Sequence, residues 1–306
     1  MFDLVTIGGI TVDLYFSGDN LTHDDKRFHL ALGGKYFVDS FHQFFGGGAV
    51  NVAVGASSHG LKSAIVGKIG KNQFYDDLIT FFRKKHINYK YCQIEKNYQN
   101  LSIVLLTKSG ERTVINYQNS HQHLEKNQKN SLNKTNFPQC KFIYMGNLPD
   151  TSLKEKIDIA SYYHQQNTQI VLNLGIHDCR LQLESVAPLI SLSNILIINN
   201  YEFSELVKAQ IEDIHFHEDV ISWYIPKFHN KLVIITQGKK GSYAYLNGKV
   251  YYQKAVHIDR IVDTNGVGDA FIAGFISADI NKNSIEDSLL NAANLAAKAL
   301  KRIGAN

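Results

Sequence analysis

Three cysteines, Cys92, Cys140 and Cys179, stand far apart in the sequence, and no two have metal-ligand spacing, so reduced, mostly buried thiols are expected. The net charge is only +4, with lysines scattered rather than clustered, too mild a field to argue for nucleic acid. No apolar run approaches the ~20 residues that a bilayer crossing needs. Met1-Phe2 leads straight into DLVTIGGI, an alternating strand, and not into a basic stretch followed by an apolar one. A cytoplasmic protein without membrane or nucleic-acid partners is expected. No Gly-x-x-x-x-Gly-Lys-Ser/Thr occurs, which excludes a Walker loop, and no Gly-x-Gly-x-x-Gly with a following acidic residue marks a dinucleotide site. Internal repeats and low-complexity tracts are also lacking. His121-x-His123 and His215-x-His217 have no acidic or cysteine partner in register and read as solvated surface histidines.

What is present is an alternation of short β-rich runs with helical patterns, the signature of βαβ units. Core strands are expected at Leu4–Gly8, Ser63–Val66, Phe142–Met145, Ile170–Leu174, Ile195–Ile198 and Leu232–Thr236. Several are continuous Val/Ile/Leu runs, as parallel strands buried on both faces require. Helices fit at 49–59, 74–86, 153–166, 201–208, near 219–228, and at 268–279 and 285–301. Two stretches, about 13–45 and 89–117, alternate polar and apolar residues and read as antiparallel strands inserted into one α/β domain spanning 1–306. A turn is expected at Ser109-Gly110, and His121–Pro138 reads as a loop or a poorly packed helix.

Four constellations carry chemistry. In IVDTNGVGDAFIAGF (261–275), Gly266 and Gly268 permit a tight turn with bare amides at the mouth of an apolar helix. Free N–H groups and the positive dipole end make an anion site for which a phosphate is suited. Asp269 beside it would repel that anion as a ligand, yet it makes sense as a general base taking the proton of an incoming hydroxyl. A helix cap accounts for Asp269 and one glycine but not for the second glycine and Asp263. In FFGGGAVNVAVGASSHG (44–60), Gly46-Gly47-Gly48 forbids regular structure and lets backbone approach a ligand, and Asn51 is either a helix cap or a ligand group. Asn199 and Glu202 in IINNYEFSEL (197–206) are either a cap with an acidic first turn or an amide–carboxylate pair for water-held Mg²⁺ at a strand's carboxyl end. VIITQGKKGS (233–242) places Thr236, Gly238 and Gly241 in a turn into another strand.

In this order the elements resemble those of the ribokinase-like, or pfkB, carbohydrate kinase family. Gly46-Gly47-x-x-x-Asn51-x-Ala53 is similar to its substrate-side motif, and Asp263-Thr264-Asn265-Gly266-Val267-Gly268-Asp269 to its catalytic DTxGAGD motif, with Val267 where alanine is common. The resemblance spans Asp3 to Ala305. It implies a three-layer α/β/α core with a mostly parallel sheet and a small β lid, with Gly33-Gly34 as hinge. It implies an ATP- and Mg²⁺-dependent kinase for a sugar: Asp269 as base, the amides of Gly266, Val267 and Gly268 as anion hole, Asp13, Gly46, Gly47 and Asn51 on the acceptor. Asn199 and Glu202 would serve Mg²⁺ and phosphates; Thr236, Gly238, Gly241 and Asn294 would line the nucleotide site; Asp263 would be a ligand of a monovalent cation such as K⁺. A homodimer through the lid is also implied. Gly48 stands where ribokinases carry lysine, which argues against ribose, and Asn72 in GKNQFY (70–75) stands where the family carries an aspartate. Two other functions remain open: a nucleoside kinase, with Tyr15, Phe16 and Phe37 stacking a base, and a sugar-binding regulatory module on a kinase fold.

Overall fold

Runs such as Ile195-Leu-Ile-Ile198 carry no polar side of their own, so they are stable only between two covering layers. In the computed structural model, which describes residues 1–21, 23–24, 27–107, 111–118, 137–148 and 151–306, they lie there. The chain begins with β1 (Phe2–Ile7), β2 (Thr11–Ser17), β3 (Ser40–Gly46), α1 (Gly48–Ser58), β4 (Ser63–Val66), β5 (Lys68–Gly70), α2 (Tyr75–Lys84), β6 (Gln93–Glu95), β7 (Asn100–Leu106) and β8 (Arg112–Gln118). It continues with β9 (Cys140–Met145), α3 (Leu153–His164), β10 (Gln169–Leu172), α4 (Ile176–Cys179), α5 (Leu183–Leu192), β11 (Ile195–Asn199), α6 (Asn200–Val207) and α7 (Val220–Tyr224). β12 (Leu232–Thr236), β13 (Ser242–Leu246), β14 (Lys249–Gln253), α8 (Val267–Asp279) and α9 (Ile285–Ala299) close it.

The main sheet has the order β14-β13-β12-β11-β10-β9-β1-β4. From β4 to β12 all neighbours are parallel; only the β12–β13 and β13–β14 pairings at one edge are antiparallel. One face buries Ile143, Ile170, Leu196 and Val233 with α3, α5, α6 and α7. The other buries Leu4, Tyr144, Val171 and Ile234 against Val52 of α1, Phe271 and Phe275 of α8 and Leu289 of α9. At ~1.5–3 kcal/mol for each aliphatic or aromatic side chain removed from water, these two interfaces hold the three layers together. Every parallel strand aims its carboxyl end at the same rim.

A second sheet, order β3-β2-β7-β8, stands over that rim as the small lid. β2 pairs antiparallel with β3 and parallel with β7, so the two inserted segments form one sheet. Its inner face buries Tyr15, Val104 and Leu106 with Phe44 and Ile303. On its outer face Phe41, Ile103, Ile115 and Tyr117 are exposed.

Several expectations are corrected. The helix near 219–228 ends at Tyr224, and a separate 3-10 turn spans Pro226–Phe228, because proline cannot continue the ladder. α5 was not expected; Pro188 lies inside it. β5 and β6 form a separate parallel pair. Ser109-Gly110, His121-x-His123 and all but the end of His121–Pro138 lie outside the described residues. Cys140 and Cys179 are buried free thiols and Cys92 is half-buried. Among the described residues no helix is long and apolar enough to cross a membrane.

Candidate active site

The mouth of α8 is shaped by one residue. Gly266 adopts φ 71° at the N-cap, and a Cβ there would stand 2.2 Å from the Ala305 Cβ, so conformation and space both demand glycine. Among the described residues no group accepts from the amides of Gly266, Val267 or Gly268; the Ala270 amide, donating to the Gly266 carbonyl at 2.9 Å, starts the helical ladder. A Cβ on Gly268 would meet nothing within 4 Å, so this side of the helix mouth is open.

Asp263 is the residue expected as a ligand of a monovalent cation. It is fully buried, Oδ1 accepts from the Asn265 amide at 2.9 Å, and Oδ2 accepts from the Gly304 amide at 3.1 Å. The Arg112 guanidinium of β8 lies 3.8 Å from Oδ1. Asn265 in turn donates from Nδ2 to the Tyr15 hydroxyl of β2 at 2.7 Å, so the lid is pinned to this loop.

Asp269, half-buried in the first turn of α8, accepts at Oδ2 from Asn51 Nδ2 at 2.7 Å. The two residues are 218 positions apart. Asn51 is therefore not a cap: it is a buried residue within α1, which starts at Gly48. Nor does the triple glycine exclude regular structure, since Gly46 ends β3 and Gly48 begins α1, leaving Gly47 (φ 93°) as the sole joint. Burial pushes the Asp269 carboxyl up to about 6, partly opposed by the Asn51 hydrogen bond and reinforced by the charge of Asp13. Asp13 is itself buried, accepts from Thr11 Oγ1 at 2.9 Å, and is raised by burial against the hydrogen bonds of Thr11 and Ser102. It abuts the glycine turn: a Cβ on Gly46 would lie 2.2 Å from Asp13 Oδ2. Asp13, Gly46, Gly47, Asn51 and Asp269 thus converge under the lid.

Asn199 and Glu202 form a reciprocal capping box at α6, with the Glu202 amide donating to Asn199 Oδ1 at 2.8 Å and the Asn199 amide to Glu202 Oε2 at 2.9 Å. Burial raises the Glu202 carboxyl, and Asp269 adds to the rise, which places the two carboxylates in one field. Among the described residues no group of three or more His, Cys, Asp or Glu side chains could hold a metal. Thr236 pairs with Asn199 across β11 and β12. Gly238 (φ 55°) opens a 3-10 turn and Gly241 (φ 97°) closes it against the Gln253 carbonyl. Asn294 is exposed on α9, whose helix packs on α8 and β14. Asn72 serves locally, accepting from the Phe74 amide and donating to the Tyr98 carbonyl.

Three neighbours of the site were not anticipated. Tyr144, buried in β9, raises its hydroxyl beside Asp269 and Glu202, and burial with those two charges holds it neutral. A Cβ on Gly48 would lie 3.5 Å from both that hydroxyl and Asp269 Oδ1. Arg112 and Asn306 are the others; each comes from a segment where sequence spacing carries no signal.

Residues 1–306 match the model of the pfkB family of carbohydrate kinases. The chain belongs to that family. It is accordingly a sugar-kinase phosphotransferase, with an alcohol group as acceptor. An ATP-dependent 6-phosphofructokinase of Thermoanaerobacterium thermosaccharolyticum is 26% identical over 315 residues, which cover 94% of this kinase and 92% of that protein. Among solved structures, the ribokinase of Arabidopsis thaliana complexed with ribose and ATP superposes with a TM-score of 0.76 at 21% identity, covering 99% of this chain and 94% of that one. A nucleoside kinase of Methanocaldococcus jannaschii gives 0.76 at 17%, covering 100% and 93%. These likenesses show a ribokinase fold: a three-layer α/β/α core bearing a β lid.

Proposed function

We propose that this kinase transfers the γ-phosphoryl group of ATP to a hydroxyl of a sugar. The observation that carries the reading is a carboxylate, Asp269, poised near 6 beside helix-mouth amides that no described residue engages. Asp269 Oδ1, the oxygen not accepting from Asn51, takes the acceptor's proton. The acceptor oxygen forms a bond to the γ-phosphorus as the bond to the β-phosphate bridging oxygen breaks, and ADP leaves. The amides of Gly266, Val267 and Gly268 hold the equatorial oxygens through which charge spreads. Asp13 and the Gly46-Gly47 turn grip acceptor hydroxyls, with Asn51 between acceptor and base. Thr236, Gly238, Gly241 and Asn294 line the path of the nucleotide. The lid excludes water, so that phosphate passes to sugar rather than to solvent.

Glu202 and Asn199 suit Mg²⁺ held through water, since a lone partly buried carboxylate plus substrate phosphates is the donor set this ion uses. Bound there, the ion would neutralise phosphate charge. The surroundings of Asp263 do not fit K⁺: both oxygens accept from backbone amides and a guanidinium already faces them.

A sugar is favoured over a nucleoside because two of the three lid aromatics are occupied, with Phe37 alone exposed. Tyr15 is buried, bonded to Asn265 and edge-on to Phe44 at 5.3 Å, and Phe16 packs on Phe41 at 5.3 Å. The exposed Phe41, Ile103, Ile115 and Tyr117 suit a second copy of the chain against the lid. Use of ATP as donor suits a cytoplasmic enzyme.

A panel of sugars and nucleosides with Mg²⁺-ATP, read by ADP release, tests the reading. A sugar should elicit turnover that Asp269→Asn abolishes while ATP binding persists. Wild-type transfer by that variant would remove Asp269 as base. Tight sugar binding with no turnover would make the protein a regulatory module, and turnover with nucleosides alone would overturn the acceptor class.

A further inference from the structure

Asn306 closes a chain of hydrogen bonds that ends at Asp269. Its Nδ2 donates to the Phe45 carbonyl at 2.6 Å and to Asn51 Oδ1 at 3.0 Å. Asn51 Nδ2 then donates to Asp269 Oδ2 at 2.7 Å. A backbone carbonyl only accepts, so the group facing Phe45 must be the amide nitrogen of Asn306. The same nitrogen has its second hydrogen for Asn51, which must therefore present its oxygen. With its oxygen committed, Asn51 has only donors left for Asp269. One carbonyl at the end of β3 thus sets the orientation of two side-chain amides in succession. The contact also ties the acceptor turn, one residue beyond Phe45, to the carboxylate.

We infer that Asn306 is a positioning residue for phosphoryl transfer: it holds the Asn51 amide in the one orientation that keeps Asp269 ionised and aimed, without itself touching substrate. The inference rests on the kinase reading above and deepens it. Among the described residues, the charged and titratable groups around Asp269 are Asp13 from β2, Tyr144 from β9 and Glu202 from α6. None of them offers the carboxylate a cation. Asn51 is the side-chain donor on it, so the orientation of that amide decides how readily the carboxylate keeps a proton.

The test compares Asn306→Asp and Asn306→Ala with the wild type in the full chain. An aspartate at 306 is the same size but has no donor. It draws the Asn51 NH₂ toward itself and turns the Asn51 oxygen toward Asp269. For Asn306→Asp, kcat should fall about 10–100-fold, the cost of losing a hydrogen bond to a charged group. The KM values for ATP and acceptor should stay within about twofold. The acid limb of the kcat profile should move up by about one pH unit. Asn306→Ala, which removes the donor without inserting a charge, should lose less, about three- to tenfold. In ¹³C-aspartate spectra without substrate, assigned with Asp269→Asn, the Asp269 carboxyl should titrate higher in the aspartate variant by a similar amount.

An Asn306→Asp enzyme with wild-type kcat and an unmoved Asp269 titration would overturn the inference. A rise in acceptor KM alone would also do so, and would leave residue 306 as a prop for the glycine turn. Should Asn306→Asp fail to fold, Asn306→Ala decides by the same readouts. If the wild type turns over no acceptor, the kinase reading fails, while the carboxyl titration, which needs no turnover, still decides the relay.

Discussion

Replacing Asp269 by asparagine should make this kinase more stable while making it inactive. Burial holds the carboxyl at about 6 in the folded chain against an ordinary value of 3.8. A difference of about two pH units, at ~1.36 kcal/mol each, means that ionising Asp269 in place costs the folded state ~3 kcal/mol. Below pH 3.8 the side chain is protonated folded or unfolded and the cost disappears. It grows as pH rises and reaches its full size above 6, where both states are ionised. Asparagine carries no charge and still offers Asn51 an oxygen. For a chain of 306 residues, at ~2.1 cal/mol/K per residue, 3 kcal/mol corresponds to about 5 °C in Tm. Differential scanning calorimetry should therefore find Asp269→Asn melting about 5 °C above wild type at pH 7.5. The gap should fall to about half by pH 5, where ~1.6 kcal/mol remains. A variant that melts at or below the wild-type temperature at pH 7.5, or a gap that does not narrow with acid, would refute the argument. It would mean that Asp269 is solvated, and hence no poised base.

Three further outcomes are expected. Gly46→Ala drives a Cβ to 2.2 Å from Asp13 Oδ2, so steady-state kinetics should show acceptor KM raised about tenfold or more with the KM for ATP unchanged. Exchanging K⁺ for tetramethylammonium should leave kcat/KM unchanged within about twofold, whereas Arg112→Ala should lower it severalfold by leaving a buried carboxylate without its counter-charge; strong K⁺ dependence in the wild type would contradict the reading of Asp263. Ile115→Glu, on the outer lid face, should convert a sedimenting dimer into monomer, and identical sedimentation would leave that face without a partner.

Much of the fold was legible because its physics is local. Val233, Ile234 and Ile235 are apolar in succession, and only a strand covered on both faces accommodates that. The mouth of α8 was legible for the same reason: Gly266 and Gly268 speak for bare backbone before an apolar run. Where a residue has one local and one distant use, sequence left both open. Asn199 and Glu202 do form the cap that their spacing permits. Asn51 does not, because its partner is 218 positions away and no periodicity points to it. Tyr144 sits in the apolar run FIYM, where it reads as core; only the sheet register lifts its hydroxyl to the rim. Pro188 hides α5, because a helix survives the loss of one ladder bond when its apolar face, Val186, Leu189 and Ile190, is buried.

The links of the site span nearly the full chain: Tyr15 to Asn265 over 250 positions, Asn51 to Asn306 over 255. No fragment that stops short of residue 306 can assemble them, since Tyr15 and Asn51 precede Asn265, Asp269 and Asn306 by more than 200 positions. On the proposed reading, phosphoryl transfer thus has to wait for the residues from 265 to 306. A half-made chain that has already paired β1 with β4 is still unable to spend a nucleotide.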